Sequence, residues 1–395
     1  YNPSTGTWRT VSPTTYLRSS SAISLLPNGD VLATGGEGMS NSYTTAEFYD
    51  PYTKLWNASG SINDLRYSHT STVLSNSTVL VVGGEGSNGI IPTSDLYYAY
   101  APVFRATATA NMSYPRHSHT ASVINGNVLV AGGYGYNDPL SSCEIYNRST
   151  GRWVNASSLN TARYLHTATV LSDGKILVVG GFDSSYAPLK SCEIYDPTTN
   201  TWTYAKNMTY GRVYHTASLL PDGRVIIIGG RISRGSVLQV SERYDPSTGE
   251  WSWVIGMIIA LYDHSAVVLT TGQVVVIGGS NPADYSTSVV QMYDPSTVPG
   301  TWTLLKDMNY RRSKHTSYVL NNGNILVVGG KGDCGTLNIP ETYNASTNTW
   351  TVGPKTNQSR YFHTIDYLPD GLGTIVVIGG KSDSSCLDTT EIYET

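Results

Sequence analysis

"GRVYHTASLLPDGRVIIIGG" spans Gly211 to Gly230. It holds an adjacent Tyr214 and His215, a turn at Pro221-Asp222-Gly223, and an apolar run ending in Gly-Gly. Two β-rich runs joined by an Asp-Gly turn read as a tight hairpin. A Tyr-His pair also reads as a metal-ligand candidate. The fold and the function both depend on whether this stretch is unique or one copy of many.

It is one of many. Gly-Gly occurs at 35–36, 83–84, 132–133, 180–181, 229–230, 278–279, 329–330 and 379–380, at spacings of 48 to 51 residues. A fixed period in this range marks a repeat architecture. The parts recur in order. Arg-x-x-His-Thr comes first, as in Arg163/His166, Arg212/His215, Arg312/His315 and Arg360/His363. A turn such as "SDGK" or "NNGN" follows, then an apolar run such as "ILVVGG", a variable loop, a segment such as "EIYDP", and a run such as "NTWTY". These predict four short strands per repeat, with Pro, Asn and Gly at the turns. The glycine pair ends the second strand, where positive φ or close backbone approach is expected.

One such sheet cannot bury both faces alone, whereas sheets packed radially can, which predicts a β-propeller. The last repeat stops at "TTEIYET", before any Trp, and the opening "YNPSTGTW" supplies a turn and Trp8. The expected fold is therefore an all-β, eight-bladed propeller of four-stranded antiparallel blades, its ring closed by the N-terminal strand. The whole of 1–395 is one domain, with blades near 18–57, 66–105, 116–154, 163–203, 212–253, 262–303, 312–351, and 360–395 plus 1–9. Closure would remove free sheet edges.

The glycine pair, the Tyr-Asp-Pro segment and the following Trp (Trp56, Trp153, Trp202, Trp251, Trp302, Trp350) resemble the kelch repeat family. The resemblance covers the whole chain. Phe104 stands where the second repeat should carry Trp, Ser21 replaces His in the first, and Leu261 replaces Arg before His264. Kelch rings usually have six or seven blades, and the count here is eight. The opening stretch is also similar to a segment of the galactose oxidase and glyoxal oxidase group. That resemblance implies one copper ion held by a Tyr-His pair, a second Tyr cross-linked to Cys, and another His. Tyr214 and His215 match the first of these. No cysteine lies on a first strand, where the cross-link would be needed.

The His slot recurs as His69, His119, His166, His215, His264, His315 and His363. One reading is a packing and hydrogen-bonding element repeated in each blade. The other is a metal site built on one copy, which needs three or four converging ligands. The recurring Arg (Arg66, Arg116, Arg163, Arg212, Arg312, Arg360) also has two readings. It forms a cationic rim, or it caps carbonyls and pairs with the recurring Glu47, Glu144, Glu193, Glu242, Glu341 and Glu391. No Ser-His-Asp or paired-carboxylate pattern stands out, so no catalytic residue and no cofactor are expected.

With 25 basic and 29 acidic residues the net charge is −4, and only 14% of residues are charged. The absence of a basic block disfavours nucleic acid. The longest apolar stretch, near Trp253 to Leu261, is far short of the ~20 residues that span a bilayer. The opening segment is polar and turn-like, so a leader has been removed or the chain is part of a longer one. Cys143 and Cys192 share one slot, "SCEIY", while Cys334 and Cys386 sit in variable loops. Disulfides Cys143–Cys192 and Cys334–Cys386 are expected, with four free buried thiols as the alternative. Two such bridges would imply an oxidising compartment. Sequons occur at Asn57, Asn76, Asn111, Asn147, Asn155, Asn207, Asn344 and Asn357, mostly in predicted turns. Together they point to an extracellular glycoprotein, secreted or attached to the cell surface.

The loops after each Gly-Gly differ from copy to copy and share one face. They are rich in Tyr, Ser, Asn, Asp and Gly, as in "FDSSYAPLK" and "SNPADYSTSV". Function concentrates on such loops, and this composition suits adaptable polar recognition. The first expectation is a non-catalytic binding or assembly module whose partner is a protein, a glycan or another copy of itself. A copper radical oxidase-like enzyme and a lectin-like glycan binder are the alternatives. The lectin reading draws on 29 Tyr against 4 Phe.

Overall fold

The computed structural model describes residues 9–393 except 11–12, 17, 28, 39–42, 51–52, 54, 75–77, 88, 99–104, 109–110, 148–149, 151, 234–235, 298, 321, 334, 354, 357, 362, 368–374, 379–380 and 384–389. The chain is all-β and of the β-propeller type. Its described residues form eight four-stranded antiparallel sheets, plus three two-stranded hairpins in the variable loops. We number the sheets in chain order by their first strands: Ala22–Leu25, Thr70–Val73, Thr120–Ile124, Thr167–Val170, Thr216–Leu219, Ser265–Val268, Thr316–Val319 and Thr364–Tyr367. No helix among the described residues is long and apolar enough to cross a membrane.

Sheet five shows why these residues form these strands. Thr216–Leu219 pairs with Val225–Ile228, which pairs with Ser241–Asp245, which pairs with Glu250–Val254. At the first turn Gly223 takes φ +83°, and the Asp222 carboxylate accepts the Arg224 amide at 3.0 Å. Both are what an Asp-Gly turn provides. The second strand is apolar at every position because both its faces are covered. Successive residues look toward opposite neighbours. In sheet four, Ile176 and Val178 pack with sheet three, while Leu177 and Val179 pack against Val225, Ile227 and Tyr244 of sheet five.

The Tyr and Trp slots sit opposite each other on the two outer strands, as in Tyr195 and Trp202, with ring centroids 5.1 Å apart. The Asp after the Tyr opens the next turn, Asp245 Oδ1 accepting the Ser247 amide at 2.9 Å. In sheet eight the order is Thr364–Tyr367, Ile375–Ile378, Thr390–Tyr393, and then Arg9–Thr10 from the other end of the chain.

The structure corrects one expected disulfide. Cys143 and Cys192 are free, buried thiols, each opening the third strand of its own sheet. Each Sγ–H donates within its own sheet, to the Ser141 and Lys190 carbonyls at 3.6 Å. Equivalent slots in neighbouring sheets are held near the ~10 Å sheet spacing, and a disulfide needs Cα atoms ~4.4–6.8 Å apart. Burial pushes the Cys143 thiol up to about 11. Cys334 and Cys386 lie outside the described residues, as do Phe104 and the last Gly-Gly pair.

Candidate functional site

The Arg-x-x-His segment leads into each first strand and meets the glycines of the preceding sheet. Gly180 and Gly181 take φ +65° and +92°. The Gly181 amide donates to the Arg212 carbonyl at 3.1 Å, one sheet onward. A Cβ on Gly180 would sit 2.6 Å from that carbonyl oxygen and 3.0 Å from His215 Cε1. Glycine is required there because backbone of the next repeat occupies the side-chain space. The His completes the seam: its Nε2 lies 3.0 Å from Thr167 Oγ1, with the donor set by the tautomer. The same hydroxyl–imidazole contact joins Thr34 to His69, Thr70 to His119, Thr120 to His166, Thr216 to His264, Ser265 to His315 and Thr316 to His363.

The arginines are equally structural. Arg163 is fully buried and donates to the Gly180 and Ser191 carbonyls, each at 2.9 Å, and to Glu193 at 2.8 Å. The glutamate accepts the Asn160 amide at 2.6 Å as well. Arg116–Glu144, Arg212–Glu242 and Arg312–Glu341 repeat this pair. The cationic-rim reading of these buried arginines therefore falls. Two members were missed in the sequence: Arg18, paired with Glu47, and Asp95, paired with Arg66. Aligning repeats by the glycine pair would have exposed both. In sheet six, Leu261 and Gln291 replace cation and anion together, and Gln291 bonds both backbone groups of Ile259 at 2.9 Å.

Between Arg and His sits a residue in left-handed conformation: Ser20, Ser68, Ser118, Leu165, Tyr214, Asp263 and Lys314, with φ between +51° and +56°. Their backbones link across sheets, for example Lys314 N to Asp263 O at 3.2 Å. At Tyr214 this turn sends the two neighbouring side chains apart. His215 enters the seam, where burial holds it down to about 3. Tyr214 instead meets Phe182 at 6.4 Å, Tyr262 at 6.5 Å and the Arg231 guanidinium at 4.8 Å. A copper ligand pair must reach one ion at ordinary bonding distance, ~2 Å. Here the imidazole Nε2 is already engaged by Thr167, and the phenol lies in a different contact set. Tyr214 and His215 do not fit a copper centre, and no group of three His, Cys, Asp or Glu converges among the described residues.

The variable loops share the end of the molecule carrying these segments, since the residue after each Gly-Gly bridges to the residue after each Arg, as Arg231 does to Val213. Around this mouth, sheets three to six build a continuous aromatic arc. His117 meets Tyr134 at 5.6 Å, Tyr134 meets Tyr164 at 5.1 Å, and Tyr164 meets Phe182 at 5.5 Å. Phe182 leads to Tyr214, and Arg231 lies 5.0 Å from the Tyr262 ring. Burial pushes Tyr164 up to about 12, so it keeps its proton. Outside the arc, Tyr136, Tyr186 and Tyr285 stand 66%, 64% and 65% exposed on the loop tips. Beyond Tyr262 the arc opens into a polar cleft of about 280 Å³ between sheets six and seven.

The sequons are spread over several repeats, and Asn207 lines a surface pocket with the variable-loop residues Pro188 and Leu189. Asn111, Asn155 and Asn207 are exposed; Asn57, Asn147 and Asn344 are half-buried. Asn344 Oδ1 already accepts the Ser346 amide at 3.0 Å. Asn76 and Asn357 lie outside the described residues.

A family model described as the KLHDC2/KLHL20/DRC7 Kelch-repeats domain matches residues 21–230, and two models described as the Kelch motif match residues 212–257 and 263–309. No curated protein matches the chain. Among solved structures it is similar to a fungal alcohol oxidase of the AA5 family in complex with copper. The identity is 16% and the TM-score 0.63, covering 98% of this chain and 76% of that one. It is also similar to YjhT, at 16% identity and TM-score 0.52, covering 87% and 99%. At these identities the likeness is one of fold alone. The first family model covers more than half of the sequence, in the region where the glycine latch and the Arg–Glu clamp recur, and the chain belongs to the Kelch-repeat family.

Proposed function

We propose that this chain is a non-catalytic binding and assembly module that works through the loop-bearing mouth of an eight-bladed ring. Its blades follow the repeat boundaries near 18–57, 66–105, 116–154, 163–203, 212–253, 262–303, 312–351, and 360–395 plus 1–9. Contacts between the first strands of neighbouring sheets, including those of sheets one and eight, support this ring. So does the pairing of Arg9 with Ile392. The partner is a protein or glycan, or a second copy of the chain. The observation that carries the reading is the aromatic arc from His117 to Tyr262, flanked by the exposed Tyr136, Tyr186 and Tyr285. Tyrosine offers large contact area at low entropic cost, with a polar tip that tolerates water.

The module works outside the cell, with Asn111, Asn155 and Asn207 as the sequons best placed to carry glycans. The free thiols of Cys143 and Cys192 are buried and need no reducing compartment.

The test is a screen of glycan and extracellular-protein arrays, with analytical ultracentrifugation for self-association, on the parent and on a Tyr136→Ala/Tyr186→Ala/Tyr285→Ala variant. Binding should drop at least tenfold in the variant while the melting temperature holds. Retained binding would place the functional surface elsewhere.

A further inference from the structure

The cleft between sheets six and seven has the features of a built site. Its walls are held from both sides. Tyr262 Oη donates to Asp284 Oδ1 at 2.6 Å. The loop tip carrying Tyr285 is fixed by Asn281 Oδ1, which accepts the Ala283 and Tyr285 amides at 3.0 and 3.1 Å. Across the cleft, Ser286 Oγ lies 3.0 Å from Ser313 Oγ and donates to the Lys331 carbonyl at 2.7 Å. At its base is Asp263, half-buried and held at φ +51° by the blade-to-blade backbone contacts. No described group donates a hydrogen bond to its carboxylate. Burial lifts this carboxyl above the usual range, while Lys314 and Arg231 pull it back.

The charges around the cleft balance. Asp263 and Asp284 face Lys314 and Arg231, Asp333 is taken up by Arg311 at 3.1 Å, and Lys331 is turned to the Tyr361 ring at 4.6 Å and to Asp383 at 4.0 Å. An anion would meet the two aspartates. A cation would meet Lys314, and Arg231 already holds the cation-binding position between Tyr214 and Tyr262. An uncharged ligand bearing several hydroxyls avoids both conflicts. Each hydroxyl donates to a carboxylate or accepts from an ammonium, and one carbon face packs on a tyrosine ring. The volume lies just under the ~300 Å³ at which sites for drug-sized ligands begin, which suits a single six-membered ring.

We propose that this cleft binds one neutral pyranose, with Asp263 and Asp284 accepting its hydroxyls and Tyr285 covering one face, and that the aromatic arc carries the adjoining sugars. The proposal rests on the loop-bearing mouth being the binding face. The probes are methyl glycosides of glucose, mannose and galactose, read by saturation-transfer NMR and calorimetry. A sialic acid glycoside and N-acetyl-lysine methyl ester are the charged controls.

At least one neutral glycoside should bind with a millimolar Kd. Asp263→Asn should weaken it at least tenfold and Tyr285→Ala several-fold, both at unchanged melting temperature. Asn tolerates the left-handed backbone, so the first variant removes charge without strain. Failure of every neutral glycoside overturns the proposal, as does tighter binding of a charged control that Asp263→Asn abolishes. Binding that survives in Asp263→Asn but is lost in Tyr186→Ala overturns the cleft and leaves the mouth as the binding face.

Discussion

His215 shows what one slot residue contributes. Burial is the main cause of its depressed protonation, followed by the charges of Arg212 and His264. His119 and His363 are likewise held down to about 3, and His264 to about 4. The unfolded chain starts to protonate these groups near their ordinary 6.5, before the folded protein can. Their contribution is therefore fully present above that pH and is lost as the pH falls toward 3. The loss is ~1.4 kcal/mol per pH unit for each histidine in that window. His215→Gln should cost ~1–2 kcal/mol at pH 7, the worth of a buried hydrogen bond. It should also flatten the acid limb of the stability curve by one proton. Urea-unfolding midpoints from pH 4.5 to 7.5 measure both. Parallel limbs for the two proteins would mean that His215 is already charged in the fold.

In sheets one, three, four, five and seven an Arg–Glu pair ties the lead of the first strand to the third strand, and Arg66–Asp95 does so in sheet two. A buried ion pair is a poor source of net stability, but removing one partner strands the other charge. Sheet six shows the tolerated alternative, with Leu261 and Gln291 in the two slots. Arg163→Leu should therefore cost about 3–5 kcal/mol, because Glu193 stays buried without its cation. Adding Glu193→Gln should recover ~2 kcal/mol or more, within the coupling range of contacting residues. Chemical denaturation of the two single variants and the double variant measures this coupling. Additive losses would show that the carbonyl caps, and not the charge pair, make the clamp.

At the level of the whole molecule, strand Arg9–Thr10 forms the outer edge of sheet eight, Arg9 opposite Ile392 and Thr10 opposite Glu391. The segment belongs to one end of the chain and the rest of the sheet to the other. Pairing of this kind removes the entropy of two free ends and covers a sheet edge. Deleting residues 1–10 should lower the melting temperature by about 2–3 °C, the scale of a loss of ~2 kcal/mol in a chain of this length. It should also open the last sheet to limited proteolysis. An unchanged melting temperature with an intact last sheet would sink the closed ring.

The strands and their membership of sheets were legible because they depend on neighbours in sequence. "HTASLLPDGRVIIIGG" encodes its own alternation, its turn and its doubly covered second strand. The aromatic pairing of Tyr195 with Trp202 likewise needs only one hairpin. The partners across the seams were not legible, because each seam joins groups of neighbouring repeats: Gly181 to Arg212, Thr167 to His215. No single repeat indicates what will lie against its glycines.

For the same reason the arginine readings stayed open until burial settled them, and the Cys143–Cys192 bridge was expected although the sheet spacing prevents it. Tyr214 and His215 are adjacent in sequence and part company in space, since a left-handed backbone inserts one into the mouth and the other into the seam. The sequence by itself determined the repeated strand-and-turn unit, whose contacts are local. Only the tertiary structure decided what the repeats build together. The aromatic arc and the Asp263 cleft draw one or two side chains from each of several blades, and their positions are set by packing between sheets.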